Sequence, residues 1–118
     1  MSNADYLHFD DIAAQVDIPV NGITSRALFS DAHTRVVIFG FDAGQELSEH
    51  TASVPALLHV LRGEAVLTLG ADRRDAGPGS WAYMPAQLPH SIVAQTPVIL
   101  LLTMLKSARP AAAAAAQE

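Results

Sequence analysis

Cysteine is absent from the chain, which excludes a disulfide framework and any thiolate metal site and makes the protein indifferent to the redox state of its compartment. Basic residues are scarce: seven Lys and Arg against twelve Asp and Glu leave a net charge of −5. Only Arg73 and Arg74 are adjacent among them, so a nucleic-acid partner finds no electrostatic footprint. Long apolar runs are missing too. The longest, residues 98–102, is far too short to cross a bilayer. Residues 1–6 lack the basic region and apolar stretch of a secretory signal, so a cytoplasmic location is expected. Asp42, Ser48 and His50 supply the residue types of a hydrolytic triad, but no Gly-x-Ser-x-Gly turn presents a nucleophile. No phosphate-binding glycine loop occurs either. What the chain does have is apolar residues, half of its 118. That suffices for one domain burying about two-thirds of its unfolded surface.

Those residues fall in short runs separated by turn chemistry. Residues 23–29, 34–41, 56–61, 64–69, 80–84, 91–95 and 97–105 read as strands, and Asn21-Gly22, Asp42-Ala43-Gly44 and Gly77-Pro78-Gly79 read as turns. Residues 44–50 read as a strand ending at a turn, and Asp72-Arg73-Arg74-Asp75 as a solvated hairpin loop. The one helical signal before the C-terminus is a single turn at residues 12–14 that Asp10-Asp11 could cap. Regular short strands without long helices argue for an all-β antiparallel sandwich or barrel rather than a βαβ fold. The organisation expected is an N-terminal arm (1–22), a β-barrel (23–105) and an Ala-rich C-terminal segment (106–118). The alanine run at 111–116 has high helix propensity and marginal length, so a helix there is expected to pack on the barrel or on a neighbouring subunit.

Two histidines carry their own punctuation: Gly44, His50 and Gly63 in one stretch, Gly79, Pro85 and His90 in another. Residues so distant in sequence can meet only if strands carry both inward at one level of a closed sheet. The pattern resembles the two motifs of the cupin superfamily. The first family motif runs Gly, five residues, His, one residue, His, three or four residues, Glu, six residues, Gly. Here Gly44, His50 and Gly63 match, while Ala52 stands at the second His and Ala56 at the Glu. The second runs Gly, five residues, Pro, one residue, Gly, two residues, His, three residues, Asn. Gly79, Pro85 and His90 match, Gln87 replaces the Gly and Ala94 the Asn. The likeness spans residues 23–104 and implies an RmlC-like jelly-roll barrel, or double-stranded β-helix.

By that resemblance His50 and His90 are the candidate metal ligands, for a divalent transition metal such as Fe, Mn, Ni or Zn. Imidazole-bound metals of this kind generally need three or more protein donors. His59 and Glu49 have the wrong strand parity to help, and Glu46 would need a bend in its loop. The alternative for the two histidines is a hydrogen-bonded role with each other, Tyr83 or water. The two alanines remove charge and are expected to enlarge an apolar pocket lined by Ala52, Ala56, Leu58 and Tyr83, a composition suited to a small-molecule site. The expected function is therefore binding of a small organic molecule in the barrel with at most a weakly held metal. The alternative is a metal-dependent cupin enzyme of dioxygenase or isomerase type. Residues 98–102 are apolar on both faces and require cover on both, so a homodimer is expected.

Overall fold

The computed structural model describes residues 5–106. Its strands are β1 (Ile23–Ser30), β2 (Thr34–Phe41), β3 (Glu46–His50), β4 (Ala56–Arg62), β5 (Ala65–Leu69), β6 (Asp72–Ala76), β7 (Trp81–Met84), β8 (His90–Ala94) and β9 (Val98–Leu105). They form two antiparallel sheets, ordered β1-β2-β9-β4-β7 and β3-β8-β5-β6. This is the all-β architecture expected of a cupin jelly roll. The Ala-rich segment expected to be helical lies outside the described residues.

Alternation sets the core. Ala56, Leu58 and Val60 of β4 are buried while Leu57, His59 and Leu61 are not. Phe41, Leu100, Leu67 and Ile92 join them, so both sheets contribute to one apolar layer with no buried polar residue among the described ones. Strand β9 is apolar on both faces, with Val98, Ile99 and Leu100 all at most 2% exposed. Cover on the outer side comes partly from the N-terminal arm. The arm runs so close over β2 that a Cβ on Gly40 would lie 2.9 Å from the carbonyl oxygen of Asp17. The Arg26 guanidinium holds it there by donating to the carbonyl of Gln15 at 3.1 Å. Beneath it Ile38 is fully buried on the outer face.

One segment differs from its sequence reading. Asp72–Ala76 is not a loop but the edge strand β6, paired along its whole length with β5; its charged side chains reflect the edge position, where polarity blocks unwanted strand addition. Residues 44–50, read as a strand ending at a turn, contain β3, which pairs with β8. The arm has a 3-10 turn at Ile12–Gln15, and Asp11 at its N-cap makes no side-chain capping bond.

The β1–β2 hairpin is closed by Asp31, whose Oδ1 accepts the backbone N–H groups of His33 and Thr34, both at 2.8 Å. Those two bonds, His33 first, hold its carboxyl below the usual aspartate range. A depressed folded-state pKa stabilises the fold above the unfolded pKa, and that stabilisation fades as pH falls through the folded value. Thermal melts taken downward from neutral pH should therefore show wild type losing stability below about pH 4 more steeply than Asp31→Asn. Parallel acid limbs would show the bonds to be energetically idle.

Candidate functional site

The register of β3 against β8 places His50 directly across from His90 and Leu47 across from Ile92. Three positions separate Leu47 from His50 but two separate Ile92 from His90, and a bulge absorbs the extra residue. Both histidines thereby face the barrel interior at its mouth. Their ring centroids lie 4.2 Å apart with planes tilted by 59°.

Each ring is fixed in the same way. His50 Nδ1 lies 2.8 Å from the carbonyl oxygen of Ser48, and His90 Nδ1 lies 2.8 Å from that of Leu88. A carbonyl can only accept, so each Nδ1 carries a proton and donates it. In the neutral rings Nε2 is left with its lone pair. This tautomer suits a metal ligand and equally an acceptor of hydrogen bonds. Apart from Ser91 the rest of the cavity wall is apolar, including Phe39, Leu47, Leu58, Met84 and Leu102, and His50 and His90 are its only titratable side chains.

The cavity itself is small, about 40 Å³. That is space for a few waters at roughly 10–15 Å³ each, well short of the roughly 300 Å³ and more of ordinary small-molecule pockets. The enlargement expected from two alanines is not found. Met84 explains it: the β4–β7 register sets Met84 opposite Ala56, and with 2% exposure its long thioether takes the room a ligating carboxylate would need. Sequence reasoning missed Met84.

Of the four expected pocket residues, Leu58 lines the cavity. Ala56 is buried beside it at 3% exposure. Ala52 lies in the loop after β3, where its carbonyl accepts the N–H of Gln87 at 2.8 Å. Tyr83 does not belong to the pocket: it is 52% exposed on the outer face, because Met84 holds the inward position and strand side chains alternate. His59 is on the same outer face, across from Leu101 on one side and Trp81 on the other. Gln87 stands where the family motif has glycine and adopts φ +69°, a left-handed conformation that a residue with a Cβ enters at a cost of about 1–2 kcal/mol. Its bond to Ala52 ties that strained turn to the β3 loop.

The donor set does not fit a firmly held metal. With metal–nitrogen distances of about 2.0–2.1 Å, rings this close could take two adjacent positions on one ion. Among the described residues, however, no group of three or more His, Asp or Glu could hold a metal. Nor is any described helix long and apolar enough to cross a membrane.

Comparisons with known proteins agree with this architecture. A family model described as Cupin domain matches residues 37–104. The structure of a conserved protein of unknown function from Streptococcus pyogenes is similar, at 27% identity and a TM-score of 0.77 over 89% of this chain and 92% of that one. A cupin superfamily protein from Desulfitobacterium hafniense aligns at 26% identity and TM-score 0.76, over 80% and 86% of the two chains. A cupin 2 conserved barrel domain protein from Leptotrichia buccalis reaches 29% identity and TM-score 0.75, over 80% of this chain and 46% of its own. No curated protein matches the sequence.

Proposed function

The chain belongs to the cupin domain family, and on that premise we propose that it binds a small organic molecule at the His50–His90 pair, with at most a weakly held divalent metal. The observation that carries this reading is the shared tautomer of the two rings without a third donor beside them. Backbone carbonyls occupy both Nδ1 atoms, so each Nε2 offers a lone pair to a ligand. In neutral form the pair favours a group that donates hydrogen bonds, such as a hydroxyl or an amine. The cavity admits only the head of such a molecule, so its body extends over the exposed His50 at the mouth. The enzyme reading requires a metal kept firmly in place with open positions, and this donor set argues against it.

The test combines metal content with ligand-induced stabilisation. Protein purified without an affinity tag and dialysed against a mild chelator should carry well under one metal per chain. Hydroxylated and amino compounds should raise the melting temperature of wild type, by on the order of 10 °C at a hundred times Kd, and leave His50→Ala and His90→Ala unmoved. Near-stoichiometric metal surviving the chelator would hand the site to the enzyme reading.

The same proposal includes a homodimer. The arm covers one half of the outer face of the five-stranded sheet; the other half presents Leu57, Leu101 and the exposed Tyr83 around His59. Aromatic and aliphatic residues without charge are the composition of an interface centre. Light scattering should give twice the chain mass of 12.5 kDa, and Tyr83→Glu should lower it. A monodisperse monomer for wild type would remove the claim.

A further inference from the structure

We propose a second binding site, at the open edge between the two sheets, for a small organic carboxylate with an apolar body. The two sheets end on β6 and β7, which are edge strands without a partner on that side. Between them lies a cleft of about 350 Å³, some nine times the volume at the histidine pair. This lies within the range of ordinary small-molecule sites. Leu67, Leu69 and Ala82 form its floor, and Arg74, Asp75 and Trp81 its rim.

Register explains why a guanidinium stands there. Arg74 pairs with Leu67 and Ala76 with Ala65, and Leu67, Ala65 and Ala76 are all buried in the core. Arg74 therefore shares the inward row of β6 and projects toward the gap rather than away from the barrel. Among the described residues it makes no side-chain hydrogen bond or ion pair, as the only salt bridge there joins His8 and Asp10. Five N–H donors in a planar fork are thus unengaged at the lip of an apolar cleft, in a geometry that matches a carboxylate. Trp81 borders the cleft from β7 and is 60% exposed, but its pairing with His59 turns its ring to the outer face of the five-stranded sheet, so the ligand's body rests on the leucine floor and Arg74 alone holds its charged end. An inward charge on an edge strand also blocks edge-to-edge pairing, but that role needs no leucine floor beside it.

The site is separate from the histidine pair and does not depend on it. The pair's cavity and the cleft have no lining residue in common, although Leu69 pairs with His90.

Trp81, the chain's only tryptophan, borders this cleft, so its fluorescence serves as the probe of binding there. The experiment is a titration of the full chain with cyclohexanecarboxylate, and with cyclohexylmethanol as its uncharged counterpart. Expected is a saturable change in emission with the acid, at least tenfold weaker with the alcohol. Arg74→Gln should weaken acid binding at least tenfold, and Arg74→Lys, which keeps the charge but loses the fork, by less. Three outcomes would overturn the proposal: no saturable response, equal response to acid and alcohol, or acid affinity unchanged in Arg74→Gln. An acid response that persists in Arg74→Gln but vanishes in His50→Ala would likewise overturn it, assigning the ligand to the barrel instead. Failure of the histidine-pair reading would leave the Arg74 dependence intact.

Discussion

Gly63→Ala should prevent the chain from folding stably, whereas Gly79→Ala should be tolerated. Both glycines match the family motifs and both have left-handed backbone, φ +87° and +91°. An L-residue in that conformation costs about 1–2 kcal/mol, and at Gly79 the cost stops there, since nothing lies within 4 Å of an added Cβ. At Gly63 the same Cβ would sit 2.0 Å from the carbonyl oxygen of Pro97, 2.9 Å from its carbon and 3.0 Å from Val98 Cα. All three are backbone atoms, so no side chain can rotate away. Relief requires the β4–β5 turn to separate from the β8–β9 connection. Those turns are laced together: Glu64 N–H donates to Thr96 Oγ1 at 2.9 Å, and the Glu64 carbonyl accepts from Gln95 and Thr96 at 2.9 and 3.2 Å. Losing these at about 0.5–1.5 kcal/mol each, on top of the conformational cost, consumes much of the roughly 5–15 kcal/mol that holds a domain together. Urea denaturation followed by circular dichroism compares the two variants. A Gly63→Ala protein within about 1 kcal/mol of Gly79→Ala would show that the two connections do not need their close approach.

This pair of glycines also shows which features could be read from sequence. A residue type demanded by local backbone geometry is visible in one dimension, so Gly63, Gly79 and Pro85 marked the turns, and His50 and His90 were recognisable by their distance from them. Strand runs were visible for the same reason, since the side-chain period of two is local. What depends on pairing was hidden. Strand β6 passed for a loop because an edge strand, solvated on one side, has little reason to be apolar. The inward row of β7 could not be assigned from its own alternation, because the connection from 85 to 89 does not transmit parity; only the pairing of Met84 with Ala56 turns Tyr83 outward and puts a thioether in the site. The bulge between Leu47 and His50 is similarly invisible, and without it a parity count places one of the two inward-facing residues on the wrong side. The size of the site followed from Met84, so it could not be read either.

Restoring the two absent donors should convert the protein into one whose stability depends on metal. Ala56→Glu alone places a carboxylate at a position 3% exposed, opposite Met84, which is 2% exposed. An unpaired buried charge typically costs about 3–5 kcal/mol, and here it also competes with the methionine for space. Burial raises the folded-state pKa of such a group above its unfolded value, so the loss is greatest at neutral pH and eases as acid protonates the carboxyl. Adding Ala52→His, at a half-buried position in the loop after β3, supplies a third imidazole. With His50 and His90 already locked in the Nε2-acceptor tautomer by backbone carbonyls, the second shell needs no redesign. Divalent nickel or zinc should then stabilise the Ala52→His, Ala56→Glu variant by on the order of 10 °C at a hundred times its Kd, while moving wild type little. Met84→Ala gives an internal control of opposite sign. In wild type it removes a buried side chain at a cost of about 2–5 kcal/mol; in the double variant it clears space for the new carboxylate and should tighten the metal. Calorimetric titration and melting curves with and without metal read both effects. A double variant that binds nickel no more tightly than wild type would mean that residues 52 and 56 do not face the histidine pair as their place in the motif implies.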